Sequence, residues 1–320
     1  MAEFSDMDKT KLIVVAGPTA SGKTALAVQI AKAVGGSVIC ADSMQVYKGM
    51  SIATAAPAKQ EMQGVPHMLN EFLERSVSFS VSDFCDAAKD AVSQITAAGS
   101  VPVIAGGTGL FIDSFVDNIS FSSANPDEEL RARLSALDED ELYSRLLQTD
   151  PAEAQKTHKN NKKRVMRALE IYYSTGKTKT EQDLLSRQSS PYETLYLVIG
   201  FKNRDLLYSR INARVDKMVA SGLIEEAKAN LASGGKTAAQ AIGHKELAPY
   251  FAGEISLEEA LEKIKRETRR YAKRQITWFK RRENAVWLYA DELGYDKLAE
   301  KAVNLSRDFI NGKQRKSKGR

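Results

Sequence analysis

The chain reads as an α/β protein, a parallel sheet flanked by helices whose core is interrupted by a helical insertion. Three observations carry this reading. Short, nearly continuous apolar runs ("KLIVVAG", "SVICADS", "VPVIAGG") alternate with stretches of helical periodicity, the pattern of parallel strands buried on both faces. The first run opens directly into "GPTASGKT", which fits G-x-x-x-x-G-K-[ST] with Gly17, Gly22, Lys23 and Thr24. From about Pro126 to Gly176 the text turns to charged amphipathic helix without strands. The fold expected is therefore P-loop NTPase-like, with residues 1–120 as the first part of the core, 121–190 as a helical insertion, 191–306 as the second part, and 307–320 as a disordered basic tail.

Each element follows from its own text. After the phosphate loop, "KTALAVQIAKAV" places Leu26, Ile30 and Val34 four apart on one helix face, and Gly35-Gly36 stops it. "SVICADS" is a second strand with Asp42 at its carboxyl end. "FSVSDFCDAAKDAVSQITAAG" holds a helix with Phe84, Ala88, Ala91 and Ile95 inward, and "VPVIAGGTG" is a third buried strand ending in glycines. In the insertion, "NNKKRVMRALEIYYSTG" turns Val165 and Leu169 to one face and leaves Lys163, Arg164 and Arg167 free. "ETLYLVIGF" resumes strand character, and "RDLLYSRINARVDKMVASG" is a helix with Leu207, Ile211 and Val215 as its apolar stripe. "SLEE" is a capping box that opens a long basic helix, and "AVWLY" reads as an edge strand.

Ligands of open parallel sheets bind at the carboxyl ends of the strands. Gly17–Thr24, Asp42 and Gly106–Gly109 all fall at such ends, so three distant stretches should meet on one rim. Loop amides and a helix N-terminus point at an anion, Lys23 adds a point charge, and the Thr24 hydroxyl suits Mg²⁺. The loop alone fits any polyphosphate, whether the ATP of a kinase or a motor or the diphosphate of a transferase that discards pyrophosphate. Asp42 reads as a turn residue, a Mg²⁺ partner or a base, and Gly106–Gly109 as a tight turn or a ligand-facing one. "VPVIAGG" lacks the terminal Asp that many phosphate-loop motors use on Mg²⁺, which counts against a motor. Arg210 and Arg214, four apart on a helix, read as solvated charges or as phosphate or partner contacts.

Bulk properties narrow the partners. A chain of 320 residues with 43% hydrophobic content can bury a sizeable core, and no apolar run approaches the about 20 residues a membrane span needs. Two cysteines and three scattered histidines give no metal-ligand spacing. The net charge of +5 is mild but uneven. Residues 262–282 carry ten Lys or Arg against two Glu, more than solubility needs, and suggest RNA. Tyr271 and Trp278 within that run, seven apart, read as core packing more readily than base stacking.

Seven phrases, "GPTASGKT", "DSMQVYKGM", "GGTGLFI", "KRVMRALEIYYSTGK", "RINARVDKMVASGLIEE", "QAIGHKEL" and "RRYAKRQITWFKRR", occur in this order across residues 11–290. Together they resemble the bacterial tRNA dimethylallyltransferases. The resemblance implies transfer of a dimethylallyl group from dimethylallyl diphosphate to N6 of adenosine 37 in tRNA; the loop adds the expectation of Mg²⁺, the two cysteines suit a reducing cytoplasm, and a monomer is expected. It implies that Gly17, Pro18, Thr19, Ala20, Ser21, Gly22, Lys23 and Thr24 grip the diphosphate, helped by Arg210 and Arg214, and that Thr24 holds the metal. Asp42 becomes the general base and Thr108 a neighbour of the reacting groups. Asp42, Ser43, Met44, Gln45 and Thr108 become the base pocket, and tRNA contacts fall to Leu130, to Lys163, Arg164, Val165, Met166 and Arg167, and to Ala241, Ile242, Gly243, His244 and Lys245. Two departures stand out: His244 replaces an expected tyrosine, and "NNKK" replaces Asn-Asp-Pro-Arg before Arg164. The rival readings are a prenyltransferase of free AMP or ADP, a nucleotide kinase, and a non-catalytic RNA-binding protein switched by nucleotide.

Overall fold

In the computed structural model, which describes residues 9–121, 127–186, 188–232, 235 and 237–312, six strands form one parallel sheet. They are β1 (Thr10–Ala16), β2 (Gly36–Ala41), β3 (His67–Met68), β4 (Val101–Gly106), β5 (Tyr192–Gly200) and β6 (Val286–Tyr289), in the order β3-β2-β4-β1-β5-β6. The β1, β2, β4 and β5 side chains are almost wholly buried, as their unbroken Val, Ile and Leu runs require of strands covered on both faces. Register matters for function. Ala16 pairs with Gly106 and Ala41 pairs with Gly106, so the carboxyl ends of β1, β4 and β2 stop level. The chain segments that leave those three ends begin at Gly17, Gly107 and Asp42.

The chain divides into two compact units, 1–116 with 191–320, and 117–190. In the first unit, α1 (Lys23–Val34), α2 (Ser51–Thr54), α3 (Lys59–Met62), α4 (Val81–Ala97) and α5 (Gly109–Val116) precede the break. The second unit holds α6 (Glu128–Ser135), α7 (Glu139–Thr149), α8 (Pro151–Lys156), α9 (Lys162–Thr175) and α10 (Lys179–Leu185) around a core of Leu130, Leu134, Leu142, Leu146, Val165 and Leu169. Asn161 caps α9 by accepting the Arg164 amide, so the departure at "NNKK" still starts a helix. Back in the first unit, α11 (Arg204–Ala220), α12 (Leu223–Ala232), α13 (Ala248–Phe251), α14 (Leu257–Phe279), α15 (Ala290–Leu293) and α16 (Tyr295–Ile310) complete the cover.

The helix ends follow the text. Gly35 ends α1 in the left-handed region at φ 63°, and Ser256 with Glu259 forms the capping box of α14. The C-terminal reading needs correction. Helix α16 continues to Ile310, where Lys11 Nζ meets the Phe309 and Ile310 carbonyls at 3.0 and 2.9 Å, so no tail begins at residue 307. Residues 313–320, also assigned to that tail, lie outside the described residues.

Candidate active site

The phosphate loop runs from β1 into the N-terminus of the 12-residue α1, which presents its unpaired amides there. Gly22 adopts φ 90°, and a Cβ at this position would lie 2.7 Å from the Tyr295 ring, so both backbone and space exclude a side chain. Three distant side chains fix the loop. Tyr295 donates its hydroxyl to the Gly22 carbonyl at 2.5 Å, and Arg210 Nε donates to the Ala20 carbonyl at 2.9 Å. Gln275 accepts the Thr19 amide at 2.9 Å while its own amide donates to the Gly107 carbonyl at 2.9 Å. One α14 residue therefore ties the loop after β1 to the turn after β4. The glycines of that turn make this approach possible, because a Cβ on Gly107 would lie 2.3 Å from Gln275 Nε2 and one on Gly109 2.2 Å from the Trp278 ring.

Beside the loop lies a cavity of about 260 Å³, lined by Thr19, Lys23 and Thr24, by Asp42 to Gln45, by Ala53 to Ala55, and by α11, the 240–245 segment and α14. Its charges are unusual for an interior. Burial, with the Arg214 guanidinium beside it, pushes the Lys23 ammonium down to about 8, against the pull of the Asp42 carboxylate. Burial lowers Arg214 as well, and its Nε, enclosed by protein, has no hydrogen-bond partner, while Nη2 donates to the Thr54 carbonyl at 3.3 Å. The Ser21 hydroxyl, 1% exposed, is unpartnered too. Ser21 is not a lining residue, but the two desolvated cations that line one space form a site that an oligo-anion would complete.

Asp42 lines the same cavity. Its Oδ1 accepts the Met44 amide at 2.9 Å and the Gln45 amide at 3.4 Å, a turn that fixes the carboxylate on the cavity wall. Thr108 does not line the cavity. Its hydroxyl accepts the Ser43 amide at 3.1 Å, so it braces the Asp42 turn from behind. Tyr271 supplies an aromatic side chain to the lining, and burial followed by the Asp42 charge raises its phenol. Gln45 donates to the Thr54 and Ala55 carbonyls at 3.1 and 3.2 Å.

Several expected contacts fall elsewhere. Arg210 is exposed, outside the cavity lining, and supports the loop instead of facing its contents. Leu130 and Val165 are core side chains of the 117–190 unit, 9% and 0% exposed, because their helices need them there, and Met166 packs against that core. Lys163, Arg164 and Arg167 are exposed, and Arg167 pairs with Glu170 at 3.3 Å. Ala241, Ile242, Gly243 and Lys245 line the cavity, whereas His244 is fully buried against Glu226 and Asn230 and offers no surface to a macromolecule. That removes His244 as a tRNA contact. Tyr271 is a lining residue, where its spacing from Trp278 suggested core packing; Trp278 instead donates to Asp113 at 2.6 Å.

The family model described as IPP transferase matches residues 45–282. The chain belongs to the IPP transferase family. It is 43% identical over 305 residues to a tRNA dimethylallyltransferase of Anoxybacillus flavithermus, covering 95% of this chain and 97% of that one. A Halalkalibacterium halodurans tRNA dimethylallyltransferase is 43% identical over 318 residues, covering 97% and 100%. Among solved structures, the tRNA isopentenylpyrophosphate transferase of Bacillus halodurans aligns with TM-score 0.73 at 40% identity, over 95% of this chain and 98% of that one. A eukaryotic dimethylallyltransferase described as acting on tRNA aligns with TM-score 0.85 at 30% identity, over 97% and 81%. The family pattern thus extends over nearly the whole chain, including both units.

Within this family member, the donor set for a metal is sparse. Among the described residues no group of three or more His, Cys, Asp and Glu could hold an ion. The Thr24 hydroxyl and Asp42 carboxylate on the cavity wall are hard oxygen donors, and Mg²⁺ characteristically takes one or two protein oxygens and completes its shell with phosphate and water. These residues fit Mg²⁺ arriving with a diphosphate and do not fit a preformed cage. Burial raises the Cys40 thiol to about 12, which leaves it inert. Gln275, Tyr271 and Tyr295 are the site residues that sequence reading missed. Only the position of Gln275 and Tyr271 on one helix, four apart, could have paired them.

Proposed function

We propose that this chain moves the dimethylallyl group of dimethylallyl diphosphate onto N6 of adenosine 37 in tRNA, giving N6-(dimethylallyl)adenosine and diphosphate. The observation that carries the proposal is the pair of buried cations, Lys23 and Arg214, lining one cavity together with the Asp42 carboxylate, whose charge both of them feel. An anionic leaving group has cations to bind and an amine proton has an acceptor in the same cavity.

The chemistry follows from those charges. The N6 amine is a weak nucleophile because its lone pair is delocalised into the ring, and the base must leave its stack to enter a cavity. As the N6–C1 bond forms, the C1–O bond breaks and its electron pair stays on the departing diphosphate. Lys23, Arg214 and the loop amides stabilise that developing charge, the two side chains being themselves desolvated by burial. Asp42 accepts the N6 proton, held in place by the Met44 and Gln45 amides. Thr24 would supply the protein oxygen to a Mg²⁺ ion whose charge offsets that of the diphosphate. Tyr271, Met44 and Ile242 offer flat and apolar surface to the adenine and the allyl group.

Cations supply the RNA contacts in this reading. Exposed Lys163 and Arg164 on α9 and exposed Arg266, Arg270 and Lys273 on α14 are free of the cores of their units. No helix of the described residues is long and apolar enough to cross a membrane. We read the enzyme as a monomer acting in the cytoplasm. A prenyltransferase of free AMP or ADP would leave those exposed cations without a task.

The test is mass spectrometry of nucleosides digested from tRNA incubated with the protein and dimethylallyl diphosphate. A gain of one dimethylallyl group on adenosine, located at position 37, is the expected outcome. Prenylation of AMP but not tRNA, or consumption of ATP with phosphoryl transfer, would replace this reading with one of its rivals.

A further inference from the structure

Glu226 and His244 have no part in the steps above, yet both side chains are buried, 8% and 0% exposed. The Glu226 carboxylate accepts the Ile52 amide on Oε2 at 2.8 Å and the Ala53 amide on Oε1 at 2.9 Å, the first turn of α2. His244 Nε2 meets the same Oε1 at 2.9 Å, and its Nδ1 faces Asn230 Nδ2 at 2.7 Å. An amide nitrogen donates only, so Nδ1 accepts and the Nε2–H donates to Glu226. Asn230 is fixed in turn by donating to the Ala238 carbonyl at 3.1 Å.

The opposite end of α2 reaches the cavity. The Thr54 carbonyl accepts Arg214 Nη2 at 3.3 Å and Gln45 Nε2 at 3.1 Å. The four-residue helix is thus a strut with a carboxylate on its amide end and a guanidinium on its carbonyl end, the arrangement peptide dipoles favour. Burial works against the Glu226 charge, but the His244, Ala53 and Ile52 hydrogen bonds prevail and hold its carboxyl below the usual range.

We propose that Glu226 and His244 are positioning residues that set Arg214, through α2, for the diphosphate of the donor. This rests on the reading of Arg214 as a diphosphate ligand. It also assigns His244 a place in donor binding, where the sequence suggested tRNA. Glu226→Gln keeps the shape but has one acceptor oxygen for three donors, so a buried amide or the imidazole N–H must lose its partner.

Calorimetry with inorganic pyrophosphate and Mg²⁺ tests this, alongside the KM of dimethylallyl diphosphate and the tRNA Kd. Glu226→Gln should weaken pyrophosphate binding and raise the donor KM about tenfold, the cost of one buried unpaired donor, with tRNA affinity within about twofold. Should Glu226→Gln fail to fold, His244→Leu breaks the same hydrogen bond from its donor side and should show the same split, and His244→Gln, whose amide can still donate, should recover most of the loss. In an Arg214→Ala background, Glu226→Gln should cost nothing further. Equal losses with and without Arg214 would overturn the proposal, as would a fall in tRNA affinity at unchanged donor KM. Wild-type protein that binds no pyrophosphate would instead remove the diphosphate reading of Arg214 itself.

Discussion

At the scale of residues, Lys23 decides how the site responds to pH. Its ammonium, pushed down to about 8 by burial and by Arg214, is charged below that pH and neutral above it. A bound diphosphate favours the charged form. Donor affinity should therefore be constant below about pH 8 and fall by up to tenfold per unit above it, as binding becomes coupled to proton uptake. Lys23→Arg, whose guanidinium keeps its proton, should flatten that limb and so separate it from titration of the ligand; an unchanged limb would place the titration elsewhere. Asp42→Asn keeps the turn but accepts no proton, so single-turnover prenylation should fall about 10²–10⁴-fold at nearly normal donor and tRNA affinity. A loss smaller than about tenfold would leave Asp42 only an orienting acceptor. Lys23, Thr24 and Asp42 were legible because a short-range pattern and a strand end announce them. Gln275 was not, since its partner Thr19 lies 256 residues away and nothing local marks a Gln as a tether.

Single elements carry the division between chemistry and recognition. The apolar stripes of α1, α4 and α11 were readable because burial imposes one period on one face. Leu207, Ile211 and Val215 are the buried residues of α11, and the four named in α4 are buried beside Cys85 and Val92. In α1, Val34 is only partly buried and Val28 joins Leu26 and Ile30 inside. Helix α14 was only half readable. The ten cations of residues 262–282, seven of them on this helix, suggested RNA, but Ile264, Thr268, Tyr271 and Gln275 at helical spacing line the cavity, a face whose partner only the fold reveals. The exposed Lys273 remains for phosphate, as do Lys163 and Arg164 on α9, whereas Arg266 and Arg270 share Glu267 at 3.9 and 2.7 Å. Counterion release makes such contacts salt-dependent, each shallowing the log–log slope by about 0.7–0.9 when removed. Lys163→Gln with Arg164→Gln should therefore lower the slope for tRNA by about 1.5 and weaken binding without changing the donor KM, as read by fluorescence anisotropy across a salt series. Arg167 is a poorer probe, because its charge is already shared with Glu170 at 3.3 Å. An unaltered slope would return the α9 face to mere solvation.

For the whole molecule, the two units invite separation. The sheet, the phosphate loop and every residue lining the cavity belong to 1–116 and 191–320, and the 117–190 helices pack around a core of their own. The chain leaves the first unit after Val116 and re-enters it at Pro191, and the neighbouring Phe115 and Tyr192 rings stack with centroids 4.8 Å apart. The exit and return points are therefore close enough for a short Gly/Ser linker to join them. β5, which follows the return, is held by seven paired positions along β1, so its place in the sheet depends on no residue of the insertion. Replacing 117–190 with such a linker should leave a protein that folds cooperatively. Dimethylallyl diphosphate with Mg²⁺ should still raise its thermal midpoint, since a ligand at 100 times its Kd stabilises by about 2.7 kcal/mol through mass action alone. Lys23→Ala in the same shortened chain should abolish that rise. Prenylation of tRNA should fall by far more than donor binding, because the α9 cations leave with the insertion. If the shortened protein folds and prenylates tRNA at the full rate, recognition rests on α14 and its neighbours, and the insertion has another task. If it folds but no longer responds to the donor, the cavity depends on the insertion in a way its lining residues do not reveal.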